Sequence, residues 1–321
     1  MRSRSLSLTG ATGFVGRHVA EALLLAGWEV RAIVRPGNRK PLPEGVSVVE
    51  SDLSPASLAT VCAGTDVLVH GAALIRARDE AAFRAVNVDG AAAAADAAVR
   101  TGARMILISS QAAGGEGTPE SPRREADPPA PVNAYGRSKL AAEVVLRATP
   151  GLSWTILRPC AVYGPRDRGF LPLFRMGQHG FFLVPSSPAT AYTLIHVRDL
   201  VRAVLLAAES DRADGDTLFI GHSQPRTGDD LMRAIASAAG RPFRPFRIPG
   251  PLFTAAARAG DLAWKAGLRP LVDSGRLVEL RARGFVCAVD RAREVLGFDA
   301  AIDLQAGVDE TTRWYREHGW L

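Results

Sequence analysis

The sequence predicts an α/β fold, a doubly wound parallel sheet with a smaller C-terminal lobe. Three observations predict it. Short apolar runs alternate with helical patterns over the first two-thirds of the chain, a glycine-rich turn follows the first run, and the later segments lose this regular alternation. Because alternating strands and helices pack as parallel strands joined by right-handed crossovers, we expect helices on both faces of the sheet. A length of 321 residues is enough for one such domain and an attached lobe.

The elements of the sheet follow one another in a regular order. The predicted strands cover residues 5–8, 29–34, 46–49, 67–70, 105–109, 154–157 and 191–195. The predicted helices between and after them cover residues 14–26, 79–101, 132–148 and 197–209. This order of strands and helices is that of a Rossmann fold.

The segments outside this pattern are expected to form the lobe. Residues 169–190 are rich in Gly, Pro and Phe, and helical patterns near 228–239 and 251–266 flank a run punctuated by prolines. We therefore assign 5–165 plus 191–221 to the Rossmann domain. The substrate-binding lobe takes 166–190 plus 222–321. Since ligands bind outside the carboxyl ends of the strands in such folds, the lobe should supply substrate contacts.

Composition narrows the class of protein. The formal net charge is +6, but arginines are scattered along the chain and only three lysines occur, which does not favour a nucleic-acid partner. The three cysteines are widely spaced, so neither a disulfide framework nor a metal site is expected. The chain has no apolar run of about 18 residues, and its first residues lack the apolar core of a signal peptide. We expect a cytoplasmic enzyme.

A glycine triplet separates the first strand from the first helix. Gly10, Gly13 and Gly16 lie three residues apart at this turn. A side chain there would keep the backbone away from a pyrophosphate, whose charge meets the helix N-terminus. The turn therefore predicts a dinucleotide site, with a tight structural turn as the alternative. The residues of the turn expected to bind the cofactor are Gly10, Thr12, Gly13, Phe14, Val15 and Gly16.

The end of the second strand indicates which cofactor binds. A carboxylate there would bind the ribose 2′-hydroxyl of NAD(H), whereas an arginine accepts the 2′-phosphate of NADP(H). The strand ends on Arg35 without an acid, which favours NADP(H), with Asn38 and Arg39 as candidate helpers and NAD(H) as the alternative. A solvated basic turn would leave the same pattern. Asp52 and Leu53 are expected to flank the adenine, unless Asp52 is the N-cap of the next helix.

A tyrosine and a lysine stand four residues apart on the helix predicted for 132–148. A phenol with an ordinary pKa of about 10 is a poor base, but a neighbouring ammonium favours its phenolate. Tyr135 is therefore a candidate general acid or base beside Lys139, although an exposed helix face would show the same spacing. Ser110 follows a strand at the carboxyl edge, where it could hydrogen-bond a substrate oxygen or simply cap the loop.

These motifs together resemble the extended short-chain dehydrogenases/reductases, because the glycine triplet, Ser110 and the Tyr135/Lys139 pair occur in the family's order and spacing. The family contains sugar-nucleotide epimerases and dehydratases, dihydroflavonol reductase-like enzymes and 3β-hydroxysteroid dehydrogenase-like enzymes. Further segments that match its motifs are Val69–Ala73, Asn87–Gly90, Arg158–Arg166 and Ile195–Leu200.

The resemblance implies a role for each member of the group. Tyr135 would exchange a proton with the substrate hydroxyl or carbonyl, and Ser110 would polarise the substrate oxygen. Lys139 would lower the pKa of the tyrosine and bind the nicotinamide ribose, while a hydride moves between the substrate carbon and nicotinamide C4. The cofactor contacts that the motifs add are Gly71, Ala72, Ala73, Tyr135, Lys139 and Pro159.

Two departures from the family pattern bear on the substrate. Many sugar-nucleotide members carry Asn where this chain has Ala161, which argues against a nucleotide sugar. The segment Ala113–Gly115 replaces a bulkier family sequence and is expected to leave more room or mobility above the nicotinamide. The apolar residues expected near the substrate, or else in the core of the lobe, are Phe170, Leu171, Leu173, Phe174, Phe181, Phe182, Leu183, Pro251, Leu252, Phe253 and Trp264.

The sequence thus predicts an NAD(P)-dependent oxidoreductase acting on a secondary alcohol or ketone of a steroid-, terpenoid- or flavonoid-like substrate. One alternative is a sugar-nucleotide epimerase or dehydratase, and another is a non-catalytic NADP(H)-binding structural or sensor subunit. The helix at 251–266, with Phe253, Leu262 and Trp264, would either dock on the main domain or rest on a membrane surface. A homodimer through helices flanking the sheet is what the resemblance suggests.

Overall fold

The computed structural model describes residues 4–185, 190–265 and 274–321. The strands are β1 (Ser5–Thr9), β2 (Glu29–Val34), β3 (Ser47–Glu50), β4 (Val67–His70), β5 (Arg104–Ile108), β6 (Trp154–Pro159), β7 (Ala161–Tyr163), β8 (Phe181–Pro185), β9 (Ala191–Tyr192), β10 (Leu194–His196), β11 (Thr217–Ile220), β12 (Arg226–Thr227), β13 (Arg244–Ile248) and β14 (Gly284–Phe285).

The helices lie between and after these strands. They are α1 (Phe14–Leu25), α2 (Pro55–Val61), α3 (Glu80–Phe83), α4 (Asp89–Thr101), α5 (Ala134–Ala148), α6 (Leu171–Gly177), α7 (Val197–Glu209), α8 (Gly228–Ala238), α9 (Gly250–Lys265), α10 (Ser274–Arg281), α11 (Asp290–Leu296) and α12 (Leu304–Glu317). A π-helical turn at Arg84–Val88 joins α3 to α4, and a short 3-10 helix at Gln111–Ala113 follows β5.

Seven parallel strands form the main sheet in the order β11-β6-β5-β4-β1-β2-β3. Side chains along β4 alternate between its faces, with Val67 and Val69 packing against α1 and α7 and Leu68 packing against α2 and α4. The predicted doubly wound Rossmann sheet is confirmed. The strand order reverses between β1 and β4, and ligands bind at the carboxyl ends of strands around such a switch point.

Two predicted elements are interrupted in the structure. The helix predicted for 79–101 contains the π-helical turn, where the buried Asn87 side chain bonds both backbone groups of Leu74 and the hydroxyl of Ser138. Such turns are frequent at functional sites. The strand predicted for 191–195 is broken at Thr193 into β9, which pairs with β12 and β14, and β10, which pairs with β7.

A second core lies away from the main sheet and joins α6, α8 and α12 to the β8 strand. Phe174 and Phe182 are fully buried there beside Tyr315. By contrast, α11 packs against α7 and β11, so Leu296 belongs to the core of the main sheet. The lobe therefore has its own apolar core, which supports β8 and, through strand pairing, β13.

The described residues contain neither a membrane-spanning helix nor a group of metal-binding side chains. None of the helices in residues 4–185, 190–265 and 274–321 is long and apolar enough to cross a bilayer. Within the same ranges, no three His, Cys, Asp or Glu side chains are grouped so that they could hold a metal ion. Cys62, Cys160 and Cys287 are free and buried.

Candidate active site

The glycine turn is shaped by close contacts within the protein. Gly10 has a φ of +78°, and a Cβ there would lie 2.6 Å from the carbonyl carbon of Gly71. A Cβ on Gly16 would lie 2.2 Å from the Gly10 oxygen. Two of the three glycines are thus needed for packing between the turn, α1 and the loop after β4. The tight turn that the sequence offered as the alternative is therefore present, and it is compatible with the approach of a pyrophosphate.

The N-terminus of α1 is open to an anion. Gly13 is the N-cap, no side chain accepts from the first turn, and no acidic residue lies in it. The first backbone N–H groups, at Phe14 and Val15, therefore lack an intrahelical or side-chain partner and carry the positive end of the helix dipole. This arrangement fits the pyrophosphate of a dinucleotide.

The loop after β4 is held by a buried threonine–histidine pair. The Thr9 hydroxyl accepts from the Ala72 amide at 3.2 Å, and 2.9 Å separates it from Nδ1 of His70. Burial, together with the charge of Lys139, lowers the pKa of His70 to about 3. The ring is therefore neutral. Nε2 of the ring is buried and has no hydrogen-bond partner among the described residues.

The predicted 2′-phosphate site contains one acid that the sequence argument missed. Arg35 is exposed at the end of β2, and Asn38 reaches Thr12 of the glycine turn at 3.4 Å. Glu50, at the end of the neighbouring β3, accepts from the Gly37 amide at 3.1 Å. Residue 50 pairs with the last residue of β2, so only the strand pairing reveals that this carboxylate reaches the loop.

The predicted adenine-flanking turn is strained. Asp52 accepts from the Ser54 amide at 2.9 Å, and hydrogen bonds from Ser54 lower the pKa of Asp52. The N-cap of α2 is Ser54, so the alternative that made Asp52 the cap is wrong: its carboxylate instead fixes the residue that caps. Leu53 has a φ of +64°, which a residue with a branched side chain rarely adopts. Such strain is common at ligand sites.

The start of α5 packs directly on the loop that carries Ser110. Asn133 caps the helix by accepting from the Gly136 amide at 2.8 Å. A Cβ on Gly136 would lie 2.3 Å from the Ala112 oxygen, so only glycine permits this approach. Tyr135, half-buried beside the ring of Phe83, and Ser110 therefore share the carboxyl edge of β5.

Ser110 caps its loop and keeps a proton to donate. Its hydroxyl oxygen accepts from the Ala112 amide at 3.2 Å, which is the capping role that the sequence left open. That bond occupies a lone pair and leaves the O–H available to a substrate oxygen. The side chain is half-buried at the end of β5. Capping and substrate binding are thus compatible in one residue.

Lys139 is buried one helical turn after Tyr135. The side chain is only 2% exposed, and its Nζ donates to the Ile108 oxygen at 2.7 Å. Burial lowers the pKa of Lys139 to about 8, and the nearby Glu143 opposes this shift. The ammonium form still predominates at neutral pH. The lysine is therefore fixed to the end of β5, where a positive charge would favour a tyrosine phenolate.

A buried carboxylate on α5 joins both strands that flank the catalytic edge. Glu143 is fully buried and accepts from Ser109 at 2.6 Å and from Arg158 at 2.9 and 2.7 Å. It also accepts from Arg147 at 3.1 Å. The sequence argument did not single out Glu143, although its spacing of four from Lys139 and Arg147 places all three along one side of α5.

The segment after Ser110 is tightly packed, which corrects one expectation. Ala113 is fully buried, and a Cβ on Gly114 would lie 2.8 Å from the Phe219 ring. Gly115 has a φ of +102° and forms a bridge with Ala130. Small residues occur here because neighbouring groups fill the space, so the predicted room or mobility at these positions is wrong.

Five of the eleven apolar residues expected near the substrate lie in the core of the lobe, namely Phe170, Leu171, Leu173, Phe174 and Phe182. Phe174 and Phe182 are fully buried and Leu171 is 8% exposed, so they do not line an open pocket. In contrast, Phe181 and Leu183 are exposed. The core alternative is thus correct for the five residues named first, because the lobe must bury one face of each of its elements.

The helix α9 touches the loop that follows the predicted cofactor segment. The Arg76 guanidinium lies over the Trp264 ring at 4.9 Å from its centre. This contact agrees with the docking alternative for the tryptophan. Leu252 and Leu262 of the same helix are exposed, at 62% and 68%.

The chain matches known proteins over almost its whole length. Residues 6–221 match the model of the NAD dependent epimerase/dehydratase family. The ceramide reductase of Caulobacter vibrioides is 33% identical over 98% of this chain and 96% of its own length. The 4-hydroxy-2-methyl-3-oxo-4-farnesyl-3,4-dihydroquinoline-1-oxide ketoreductase of Stigmatella aurantiaca is 30% identical over 94% of each chain. The structure of MoeE5 with UDP-glucuronic acid and NAD is 26% identical, with a TM-score of 0.76 over 98% and 99% of the two chains.

Proposed function

The chain belongs to the NAD-dependent epimerase/dehydratase family, and we propose that within it this protein is an NAD(P)-dependent oxidoreductase that interconverts a ketone and a secondary alcohol on an apolar substrate. The family resemblance predicted from the sequence is thereby confirmed. The observation that carries the proposed chemistry is the buried Lys139 ammonium, held to the Ile108 oxygen at 2.7 Å one turn from Tyr135.

The protein's own residues would transfer the proton and hydrogen-bond the substrate oxygen. The bound cofactor supplies or accepts the hydride. Lys139 favours the phenolate of Tyr135, so that the tyrosine hydroxyl can give its proton to the substrate oxygen in reduction and take it back in oxidation. Ser110 donates its free O–H to the same oxygen. The uncapped N-terminus of α1 and the turn at Gly10 would hold the pyrophosphate.

An apolar substrate is favoured by the relatives and by one residue. The two relatives named above, a ceramide reductase and a ketoreductase of a farnesylated quinoline, carry names that state reduction of lipid-like molecules. Ala161 stands where many sugar-nucleotide members of the family have Asn, and so it offers no amide to a diphosphate. Because the similar structure of MoeE5 contains UDP-glucuronic acid, the experiment also tests the sugar-nucleotide alternative.

For the cofactor, we propose that NADP(H) is preferred. The Arg35 guanidinium lies exposed at the end of β2 and has no ion-pair partner in the part of the chain that the structure describes. The Glu50 carboxylate nearby accepts from the Gly37 amide, so it is already engaged. A 2′-phosphate would supply Arg35 with the partner it lacks.

The decisive experiment measures turnover with both cofactors. Purified protein is incubated with NADPH or NADH and ketones of ceramide, sterol and quinoline type, with UDP-glucose as the comparison. Absorbance of the reduced cofactor and product mass are followed. We expect reduction of at least one apolar ketone, and we expect Tyr135→Phe to lower kcat by about 100-fold or more while cofactor affinity stays within about twofold.

Two results would contradict the proposal. Isomerisation of UDP-glucose without net consumption of cofactor would indicate an epimerase. Tight cofactor binding with no turnover on any member of the panel would favour the sensor or structural subunit. The Tyr135→Phe variant also serves as the control, because activity that survives in it cannot come from the proposed mechanism.

A further inference from the structure

The outer face of the parallel pair β8 and β13 exposes large apolar side chains. Phe181, Leu183 and Phe246 are 55%, 56% and 64% exposed. The register places Leu183 beside Phe246 and Phe181 beside Arg244, so all four side chains project from the same face. Phe182 alternates inward and is fully buried in the lobe. We call the exposed side the β8–β13 face.

The β8–β13 face continues toward the candidate active site. Strand β13 ends at Ile248 and α9 begins at Gly250, with Leu252 62% exposed in the first turn of the helix. The far end of α9 carries Trp264, which lies against Arg76 in the loop that follows β4. One helix therefore connects the β8–β13 face to the edge where the cofactor and substrate are expected.

The surroundings of this face are basic and almost free of acids. Residues 231–260 contain five arginines and no Asp or Glu, and residues 168–198 contain no acid either. Arg244, Arg247 and Arg258 are exposed. Arg247 pairs with the buried Val184 in the register and so lies on the opposite face, where Asp229 of α8 binds it at 3.3 Å. Although arginines occur throughout the chain, here they stand without matching acids.

We propose that the β8–β13 face docks on the surface of a bilayer that contains anionic phospholipid. Apolar side chains would enter the boundary between headgroups and acyl chains, and the arginines would bind phosphates. A second copy of the chain fits this face less well, because a symmetric contact would bring two like-charged copies of Arg244 together. The dimer suggested by the family uses helices on the main sheet instead.

The docking stands on the surface alone, whereas its use in substrate supply rests on the proposed function. An apolar ketone partitions into the bilayer and is scarce in water. A lobe held at the headgroup level would take such a molecule from the membrane without carrying it through water. A substrate that resides in the membrane would thus account for the basic and apolar surface of the lobe.

Vesicle sedimentation of the full chain tests the docking. The probes are vesicles of phosphatidylcholine alone and vesicles with an equal part of phosphatidylglycerol. We expect binding to the mixed vesicles that weakens with added salt, since screening reduces attraction between surface charges. Arg244→Glu should weaken this binding by about tenfold or more, because a single basic residue near an anionic surface contributes about fivefold and the variant also adds an acid. Phe246→Ser should weaken it by about tenfold or more as well, because it removes a large apolar side chain from the boundary between headgroups and acyl chains.

Matched control variants lie elsewhere on the surface. Leu25, 90% exposed at the end of α1, and Arg100, exposed on α4, are replaced as Leu25→Ser and Arg100→Glu. Both should bind vesicles as the unaltered protein does. All four sites are exposed, so thermal unfolding and cofactor affinity should stay unchanged and show that the variants are folded.

Three outcomes would overturn the proposal. They are absence of binding to the mixed vesicles, equal losses in the control variants, and a change from dimer to monomer on Phe246→Ser in sedimentation velocity, which would make the face a contact between copies. If the protein does not bind vesicles, its turnover of detergent-dispersed ketones still tests the proposed function independently. Vesicle binding with no turnover would instead retain the docking and remove the proposed function.

Discussion

Replacing Lys139 with methionine is expected to make the protein more stable at neutral pH while abolishing its activity. The ammonium is 2% exposed, and burial lowers the pKa of Lys139 from its ordinary value of 10.5 to about 8. Below about pH 8 the buried lysine is protonated in the folded protein, although it binds the proton less tightly there than it does in the unfolded chain. The folded state is therefore destabilised by the charge, and methionine removes it with a side chain of similar length.

The magnitude follows from the two pKa values. A lowering from 10.5 to about 8 corresponds to a cost of about 3 kcal/mol at neutral pH. The lysine also donates to the Ile108 oxygen at 2.7 Å, and leaving that acceptor unpaired costs about 1–2 kcal/mol. The free energy of unfolding of Lys139→Met should thus exceed that of the unaltered protein by about 1–2 kcal/mol at pH 7.

The pH dependence supplies the sharper test. Between about pH 8 and pH 10.5 the unfolded chain binds more protons at this lysine than the folded chain does, so the unaltered protein gains stability as pH rises. The advantage of Lys139→Met over it should therefore shrink and then reverse by about pH 10, where less than about 1 kcal/mol of the charge cost remains to set against the lost hydrogen bond. Urea unfolding at both pH values measures this difference, and effects of other titrating groups cancel between the two proteins.

A control variant separates the buried lysine from lysine in general. Lys40 is exposed, and Lys40→Met should change stability by less than about 0.5 kcal/mol at either pH. A Lys139→Met protein that is less stable at pH 7, or a difference that does not vary with pH, would refute the account of a buried ammonium held at a cost.

Three further changes test other parts of the site. Arg35→Ala should weaken NADPH binding by about tenfold or more and leave NADH within about twofold in fluorescence titrations, and equal losses would count against the 2′-phosphate role. Glu143→Gln should lower stability by about 3–5 kcal/mol in urea unfolding because it leaves Arg158 buried without its charge partner, and a Glu143→Met/Arg158→Met pair should recover much of the loss. Gly136→Ala should reduce kcat more than cofactor affinity, since its Cβ would lie 2.3 Å from the Ala112 oxygen and push α5 away from the Ser110 loop.

Features that depend on neighbouring residues along the chain could be predicted from the sequence. Apolar runs and helical periodicity gave six of the seven strands of the main sheet to within a residue or two at most ends, but they missed the edge strand β11 and predicted 191–195, which lies outside this sheet. The spacing of Tyr135 and Lys139 placed them one turn apart on the same helix, as the structure has them. Such features follow from strand and helix geometry alone, and they need no knowledge of what packs against the element.

Features that depend on contacts between distant segments could not. Glu50 reaches the loop after β2 because β2 and β3 pair in parallel, and Glu143 meets Arg158 because α5 packs over β6. Neither partner is a neighbour in the sequence. The residues of the lobe show the same limit: Phe181 and Phe182 are adjacent and equally apolar, yet only a strand at that position sends one outward and the other into the core.

Deviations from ordinary folding rules converge on one edge of the sheet. Lys139 is a buried ammonium, Leu53 holds a left-handed backbone, and His70 keeps a buried Nε2 that has no hydrogen-bond partner among the described residues. Each follows the carboxyl end of a strand or packs against one. A fold selected for stability alone would replace all three with groups that cost less. Their shared position argues that this edge is the place where stability is given up for chemistry. It also explains why the single substitution Lys139→Met tests both the stability and the activity of the protein.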